Sequence, residues 1–137
     1  MTTRGVRNNN PGNIRHGEAW KGLSPTQTDP QFLQFSSPEY GIRAIARILR
    51  SYHKWGCTTI TQIVDRWAPP IENDTPAYIK SVAWQCNMDA NVAIDLETCM
   101  LPLVKAIIEH ENGTQPYPDD LISKGIALAE RWNPLDV

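Results

Sequence analysis

The chain lacks the signatures of the commonest enzyme classes. Its 137 residues contain no Gly-x-Ser-x-Gly elbow, no Gly-x-x-x-x-Gly-Lys phosphate loop, no Gly-x-Gly-x-x-Gly turn and no His-Glu-x-x-His helix. α/β-Hydrolase, P-loop, dinucleotide and zinc-protease chemistry in their standard forms are therefore not expected. Cysteine is scarce, and Cys57, Cys86 and Cys99 are odd in number and without Cys-x-x-Cys spacing. That argues against a disulfide framework or a zinc knuckle. His16, His53 and His110 share no ligand spacing, so neither a metal nor another cofactor is expected. No apolar run approaches the ~20 residues that span a bilayer. Residues 1–30 are polar, with Asn8-Asn9-Asn10 where the apolar stretch of a signal peptide would sit. The expectation is a protein made in a reducing cytoplasm, with no signal peptide and no membrane span.

An excess of one charge is missing too. A net charge of −2 and a pI near 5.9 give no global drive toward nucleic acid or anionic membrane. A composition 41% apolar and 20% charged is that of an ordinary globular protein, far from disorder. Without repeats or linkers, residues 1–137 read as a single domain, long enough to bury roughly two thirds of its unfolded surface.

Turn formers crowd residues 4–36, as in Asn10-Pro11-Gly12-Asn13 and Ser24-Pro25. Short β-prone pieces lie between them at Ile14 and Phe32-Leu33-Gln34-Phe35. From Ser37 the pattern is helical, and five helices are predicted. The first enters at Ser37-Pro38-Glu39, with Ile45, Ile48, Leu49, Tyr52 and Trp55 on one stripe. Arg43, Arg47, Arg50 and Lys54 form a second stripe, either a solvated face or a contact for an acidic or phosphate-bearing partner. Thr58 or Thr59 caps a short helix carrying Ile60, Ile63, Val64 and Trp67, which Ala68-Pro69-Pro70 stops. Thr75-Pro76 opens a third with Tyr78, Ile79, Val82 and Ala83. A fourth runs from about Met100, with Pro102 in its first turn, to Glu111. A fifth, beyond Tyr117-Pro118, carries Leu121, Ile122, Ile126, Leu128 and Ala129. The fold class is mainly α (α+β), with a small β or loop element at the front.

Ile107-Ile108-Glu109-His110-Glu111-Asn112-Gly113 is the stretch with most chemical content. An apolar helical run delivers Glu111 to its last turn, and Gly113 supplies the left-handed position that ends a helix. Helix carbonyls make that end partly negative, which favours a carboxyl that keeps its proton. Protonating a glycosidic oxygen requires such a group. The plain alternative is a surface glutamate at a helix end. Glu72 and Asp74 lie in the rigid loop Pro69-Pro70-Ile71-Glu72-Asn73-Asp74-Thr75, which suits a site. Asp74 beside Thr75 equally suits the start of the next helix. Glu39 and Glu18 read as structural or solvated. Asn8, Asn9, Asn10 and Asn13, with Trp20 and Tyr117, either serve turns and packing or line a groove. In a groove, amides would meet sugar hydroxyls and N-acetyl groups while rings stack on the sugars. Neighbouring helical side chains point about 100° apart, which argues against a His110–Glu111 dyad.

Several long motifs carry a resemblance. They include Arg4-Gly5-Val6-Arg7-Asn8-Asn9-Asn10-Pro11-Gly12-Asn13-Ile14-Arg15, Phe32-Leu33-Gln34-Phe35 and Tyr40-Gly41-Ile42-Arg43-Ala44. Further along the chain, Trp67-Ala68-Pro69-Pro70-Ile71-Glu72-Asn73-Asp74-Thr75-Pro76-Ala77-Tyr78 and His110-Glu111-Asn112-Gly113 with Gln115-Pro116-Tyr117 belong to the same set. In this order they resemble a family of small phage and prophage structural or virion proteins, over nearly the whole chain. The resemblance implies a lysozyme-like fold. Asn8-Asn9-x-x-Gly12-x-Ile14 is also similar to the segment that follows the catalytic glutamate of bacterial cell-wall glucosaminidases. In those enzymes the glutamate ends a helix upstream, whereas here seven residues precede Asn8 and none is acidic. A circular permutation that moves the acid-bearing helix behind the others would restore Glu111 to that role, and compact domains tolerate such permutation.

The resulting expectation is a peptidoglycan glycosidase, a lysozyme or lytic transglycosylase, with Glu111 as acid, Glu72 as the reserve candidate and Asp74 or Glu72 as a second carboxylate. Its partners would be glycan strands of the cell wall, reached in the periplasm during phage entry or lysis, and other virion proteins. Nucleic acid is not expected. The competing expectations are a non-catalytic virion component with a glycan-binding groove, and a DNA-contacting protein using the basic stripe.

Overall fold

Pro38 presets the helical φ of a first turn whose Glu39 opposes the helix dipole, and the chain runs helical from there to Lys54. The computed structural model describes residues 2–69 and 73–130. It contains six helices among those residues: α1 (Arg4–Arg7), α2 (Pro38–Lys54), α3 (Ile60–Trp67), α4 (Thr75–Cys86), α5 (Leu96–Asn112) and α6 (Asp119–Glu130). The protein is mainly α, and pairing in the front segment is limited to two isolated antiparallel bridges, Arg15 with Phe32 and Leu23 with Phe35.

Ile42, Ile45 and Leu49 of α2 meet Ile60, Ile63 and Val64 of α3, Tyr78 and Val82 of α4, Leu103, Val104, Ile107 and Ile108 of α5, and Ile122 of α6. A capping box starts α3, with Thr59 accepting from the Gln62 N–H while the Gln62 side chain reaches back to the Thr59 N–H. α2 lies along α6, α4 along α5. A second, smaller core of Leu33, Phe35 and Ala44 sits under the front loops, flanked by Trp20, Leu23 and Tyr40. Ile14 touches both cores.

Three sequence expectations give way here. α5 begins at Leu96, not near Met100, because Asp95 caps it by accepting from the Glu97 N–H and the Thr98 hydroxyl. Pro102 therefore lies inside the helix. Trp55 is not on the buried stripe: the helix ends at Lys54, Gly56 adopts a φ of 99°, and the Trp55 side chain stands 63% exposed. The basic stripe is not a continuous surface either. Arg43 is buried, Arg47 donates to the Ala129 carbonyl of α6, and Arg50 pairs with Glu97.

The front segment is held by a charge. Arg4 grips Asp29 through Nε and Nη2 at 2.7 and 2.6 Å, and Asn8 Nδ2 and the Gln31 and Phe32 N–H groups also donate to that carboxylate. Arg4 first, then the Phe32 N–H, hold the Asp29 carboxyl far below the ordinary carboxylate range. A carboxyl depressed on folding contributes stability that is present above its unfolded value, about 3.9, and lost as pH falls below it. Asp29→Asn should accordingly lower the thermal midpoint at neutral pH, and its deficit relative to wild type should shrink steadily below about pH 4. A deficit that stays constant down to acid unfolding would show that the clamp contributes no such linkage.

Candidate functional site

Leu103, Val104, Ile107 and Ile108 bury one face of α5, which leaves Glu109 and His110 outside and Glu111 half-buried at the edge. Gly113, at φ 75°, ends the helix one residue after Asn112. Asn112 is buried and makes three bonds with its side chain. Its Nδ2 donates to the Pro11 carbonyl at 2.9 Å and to the Ile108 carbonyl at 2.8 Å, and its Oδ1 accepts from the Thr3 hydroxyl at 2.7 Å. The C-terminal end of α5 is thereby fastened to the front turn. Gly5 is required at this junction, because a Cβ there would sit 2.8 Å from Asn112 Oδ1 and 3.0 Å from Asn13 Oδ1.

The turn itself is shaped by asparagines. Asn10 is fully buried, accepting from the Ile14 N–H and donating to the Ile14 and Leu33 carbonyls. Asn9 and Asn13 adopt left-handed φ values of 52° and 51°, which asparagine tolerates better than most residues. The Asn13 amide then faces Glu111, with Nδ2 donating to Oε1 at 3.3 Å. From the other side the Tyr78 hydroxyl donates to Oε2 at 3.2 Å. Both carboxylate oxygens are thus held by neutral donors from distant parts of the chain.

Tyr78 is fixed in turn. Its ring stacks on His110, centroids 3.6 Å apart and planes at 25°. Burial first, and then the charge of Glu111, push its phenol well above the ordinary tyrosine value, while a hydrogen bond from the Trp67 indole pulls the other way. The phenol keeps its proton at neutral pH and remains a donor.

Glu111 opens onto a cleft of about 620 Å³. Gly12, Asn13, Ile14 and Arg15 of the front segment line it together with Trp67, Ala68 and Asn73, and Phe32 and Tyr52 add aromatic surface. Glu111 is the only carboxylate among the described residues lining it. Aromatic faces, an amide and one carboxyl are what a sugar-binding cleft with acid–base capacity needs.

The structure brings together two of the candidate site residues, Asn13 and Glu111. The side chains of Asn8, Asn9 and Asn10 are committed to the front segment: Asn8 to Asp29, Asn9 to the Phe35 carbonyl, Asn10 to Ile14 and Leu33. Asp74 is exposed and caps α4, accepting from the Ala77 N–H. Trp20 packs against the smaller core and lines a groove that continues from the cleft. Tyr117 packs against the main core away from the cleft, and burial with the nearby charge of Glu39 raises its phenol. Glu72 lies outside the described residues. Sequence reasoning placed Tyr78 and Trp67 in the core and gave Asn112 no role. Only the Glu-Asn-Gly order at a helix end hinted at the last.

Asn112→Ala should destabilise the protein by about 2–3 kcal/mol, since it strands a buried carbonyl and a hydroxyl that now have a partner. Urea unfolding measures this, and a loss below about 0.5 kcal/mol would show that Asn112 is not the fastening.

No family model matches the chain. Protein P5 of Pseudoalteromonas phage PM2 is 45% identical over 127 residues, spanning 89% of this chain and 79% of that protein. With that identity over most of both sequences, the chain belongs to the bacteriophage protein family that includes Protein P5.

Proposed function

We propose that the protein is a peptidoglycan-cleaving glycosidase with a permuted lysozyme-like fold, acting for a phage particle at entry or lysis. The observation that carries this reading is the Glu111 carboxyl, open to an aromatic-lined cleft and held at both oxygens by Asn13 and Tyr78. Membership in a phage protein family supports it.

With one carboxylate on the described walls, the route that fits best is transglycosylation. Glu111 gives its proton to the bridging oxygen as the bond from that oxygen to muramic C1 breaks. The muramic 6-hydroxyl then attacks C1, and its proton returns to Glu111, leaving a 1,6-anhydro end. No second carboxylate is consumed in this cycle. Hydrolysis would instead need one, about 5 Å away as a nucleophile or roughly 6.5–9.5 Å away to activate water. Glu72 is the candidate for that part. Tyr78 and Asn13 are positioning residues that keep the carboxyl aimed into the cleft.

Glu111→Gln keeps shape and hydrogen bonding and removes the transferable proton. It should lower release of soluble fragments from purified sacculi by ~10²–10⁴-fold, the usual scale of general acid catalysis, with little change in thermal midpoint. Mass spectrometry of the wild-type fragments should find anhydro ends, 18 Da lighter than hydrolysed ones. Glu72→Gln, Glu39→Gln and Glu18→Gln serve as comparisons. Wild-type rates from Glu111→Gln, with loss in Glu72→Gln, would transfer the acid to the proline loop. Tight glycan binding by wild-type protein without any release would make this a non-catalytic groove.

A further inference from the structure

The Glu111 cleft does not end at its own walls. A second groove of about 830 Å³ continues from it along α2, and the two share Ile14, Arg15, Ile48 and Tyr52 as common lining. The charge changes along that path. The groove lining carries Arg15, Arg47, Arg50 and Lys54 against two carboxylates, Glu18 and Glu130. The whole chain has 13 basic and 15 acidic residues, so this balance is inverted locally. Arg50 is matched by Glu97 at 2.7 Å and lies 3.7 Å from Glu130. Lys54 stands exposed at its margin, and Arg15, also exposed, lies with its guanidinium 5.3 Å from the Phe32 ring centroid.

Aromatic faces alternate with these cations. Tyr52 and Trp55 line the groove, and Arg66 lies over both rings, 5.3 and 5.2 Å from their centroids. That guanidinium braces an indole that is 63% exposed. An indole whose ring is held by a guanidinium and open to the groove offers a face on which a sugar or peptide can stack.

We propose that this groove binds the acidic stem peptides of a peptidoglycan strand, so that the protein selects peptide-bearing glycan over bare glycan. The inference rests on the reading of the Glu111 cleft as a glycan site. The ring atoms and N-acetyl groups of the strand are uncharged, and its carboxylates sit on the peptides that branch from it. A neutral sugar beside Glu111 and carboxylates beside Arg15 and Lys54 match the charge pattern of the two connected grooves. A nucleic-acid strand, with a phosphate at every residue, would run its charge into Glu111.

The test uses the full chain with Glu111→Gln, which binds without turnover. Its affinity is measured for a disaccharide–tetrapeptide and for the same disaccharide with the muramic lactyl carboxyl capped as its methylamide, which leaves no carboxylate. The peptide-bearing ligand should bind roughly tenfold tighter, the scale of a charge-assisted contact, and the advantage should shrink with added salt. Adding Lys54→Glu should bring the two ligands within about twofold of each other, while Trp55→Ala should weaken both. Equal affinities in the parent protein would overturn the inference, as would an advantage untouched by Lys54→Glu. So would competition by a thymidine oligonucleotide at lower concentration than the muropeptide. Sacculus release by wild-type protein is read separately. Release without peptide preference removes only this inference, and preference without release removes only the cleavage.

Discussion

A single buried amide holds the candidate site together. Asn112 donates one Nδ2 hydrogen to the Pro11 carbonyl and accepts from the Thr3 hydroxyl through Oδ1, joining the last turn of α5 to residues near the start of the chain, while its second hydrogen holds it to the Ile108 carbonyl of α5 itself. Buried polar groups are costly unless every atom is paired, and a fully paired one tolerates little change in geometry. The fastening therefore sets where the front turn sits relative to Glu111. α1 has only four residues and would not persist as an isolated helix. It is held from one side by Asn112 through Thr3, and from the other by the Arg4–Asp29 clamp. Polar fastening matters here because the apolar core beneath the front segment is small, with Leu33, Phe35 and Ala44 as its buried members.

Much of the helical frame was legible in the sequence because local rules and burial agree there. Pro38, the Thr59–Gln62 box and Gly113 mark ends that depend on a few neighbouring residues. The start of α5 was misread because Pro102 looked like first-turn punctuation, while the real signal, Asp95 followed by Glu97, lay seven residues earlier. Burial of Leu96, Cys99 and Met100 outweighs the bond that Pro102 cannot make. Trp55 was misplaced because periodicity assumes that the helix continues, and Gly56 ends it. The split of the basic stripe came from packing α6 along α2, which no window on α2 alone contains.

The site was legible only in part, and the boundary falls at sequence separation. Glu111 could be picked out from its own helix end. Asn13 was legible as a candidate but its pairing with Glu111 was not, and Tyr78 was not picked out at all, because the two lie 98 and 33 positions away. Tyr78 looks in the sequence like any core aromatic on a helix stripe, and its ring is indeed buried. What gives it a role is the direction of its hydroxyl, fixed by the stack on His110. The Asn8-Asn9-Asn10 run admitted two readings, turn-forming and ligand-facing. The structure directs those three side chains to Asp29, Phe35, Ile14 and Leu33 within the front segment, while Asn13 turns toward the cleft.

The identity of the two Glu111 partners bears on what the carboxyl can do. An arginine or lysine in their place would hold it as a permanent ion pair, because neither can accept a hydrogen bond. A phenol and a carboxamide both donate and accept. The Tyr78 hydroxyl can rotate, and a half-turn of the Asn13 amide would present Oδ1 in place of Nδ2. That Oδ1 is buried and has no hydrogen-bond partner among the described residues, so no competing bond holds the amide in one orientation. The pair can therefore satisfy Glu111 with or without its proton. A group that must give up a proton and take one back within a catalytic cycle needs partners of that kind. Keeping them neutral leaves the cations to other parts of the lining, Arg15 where the two grooves meet and Lys54 in the adjoining one.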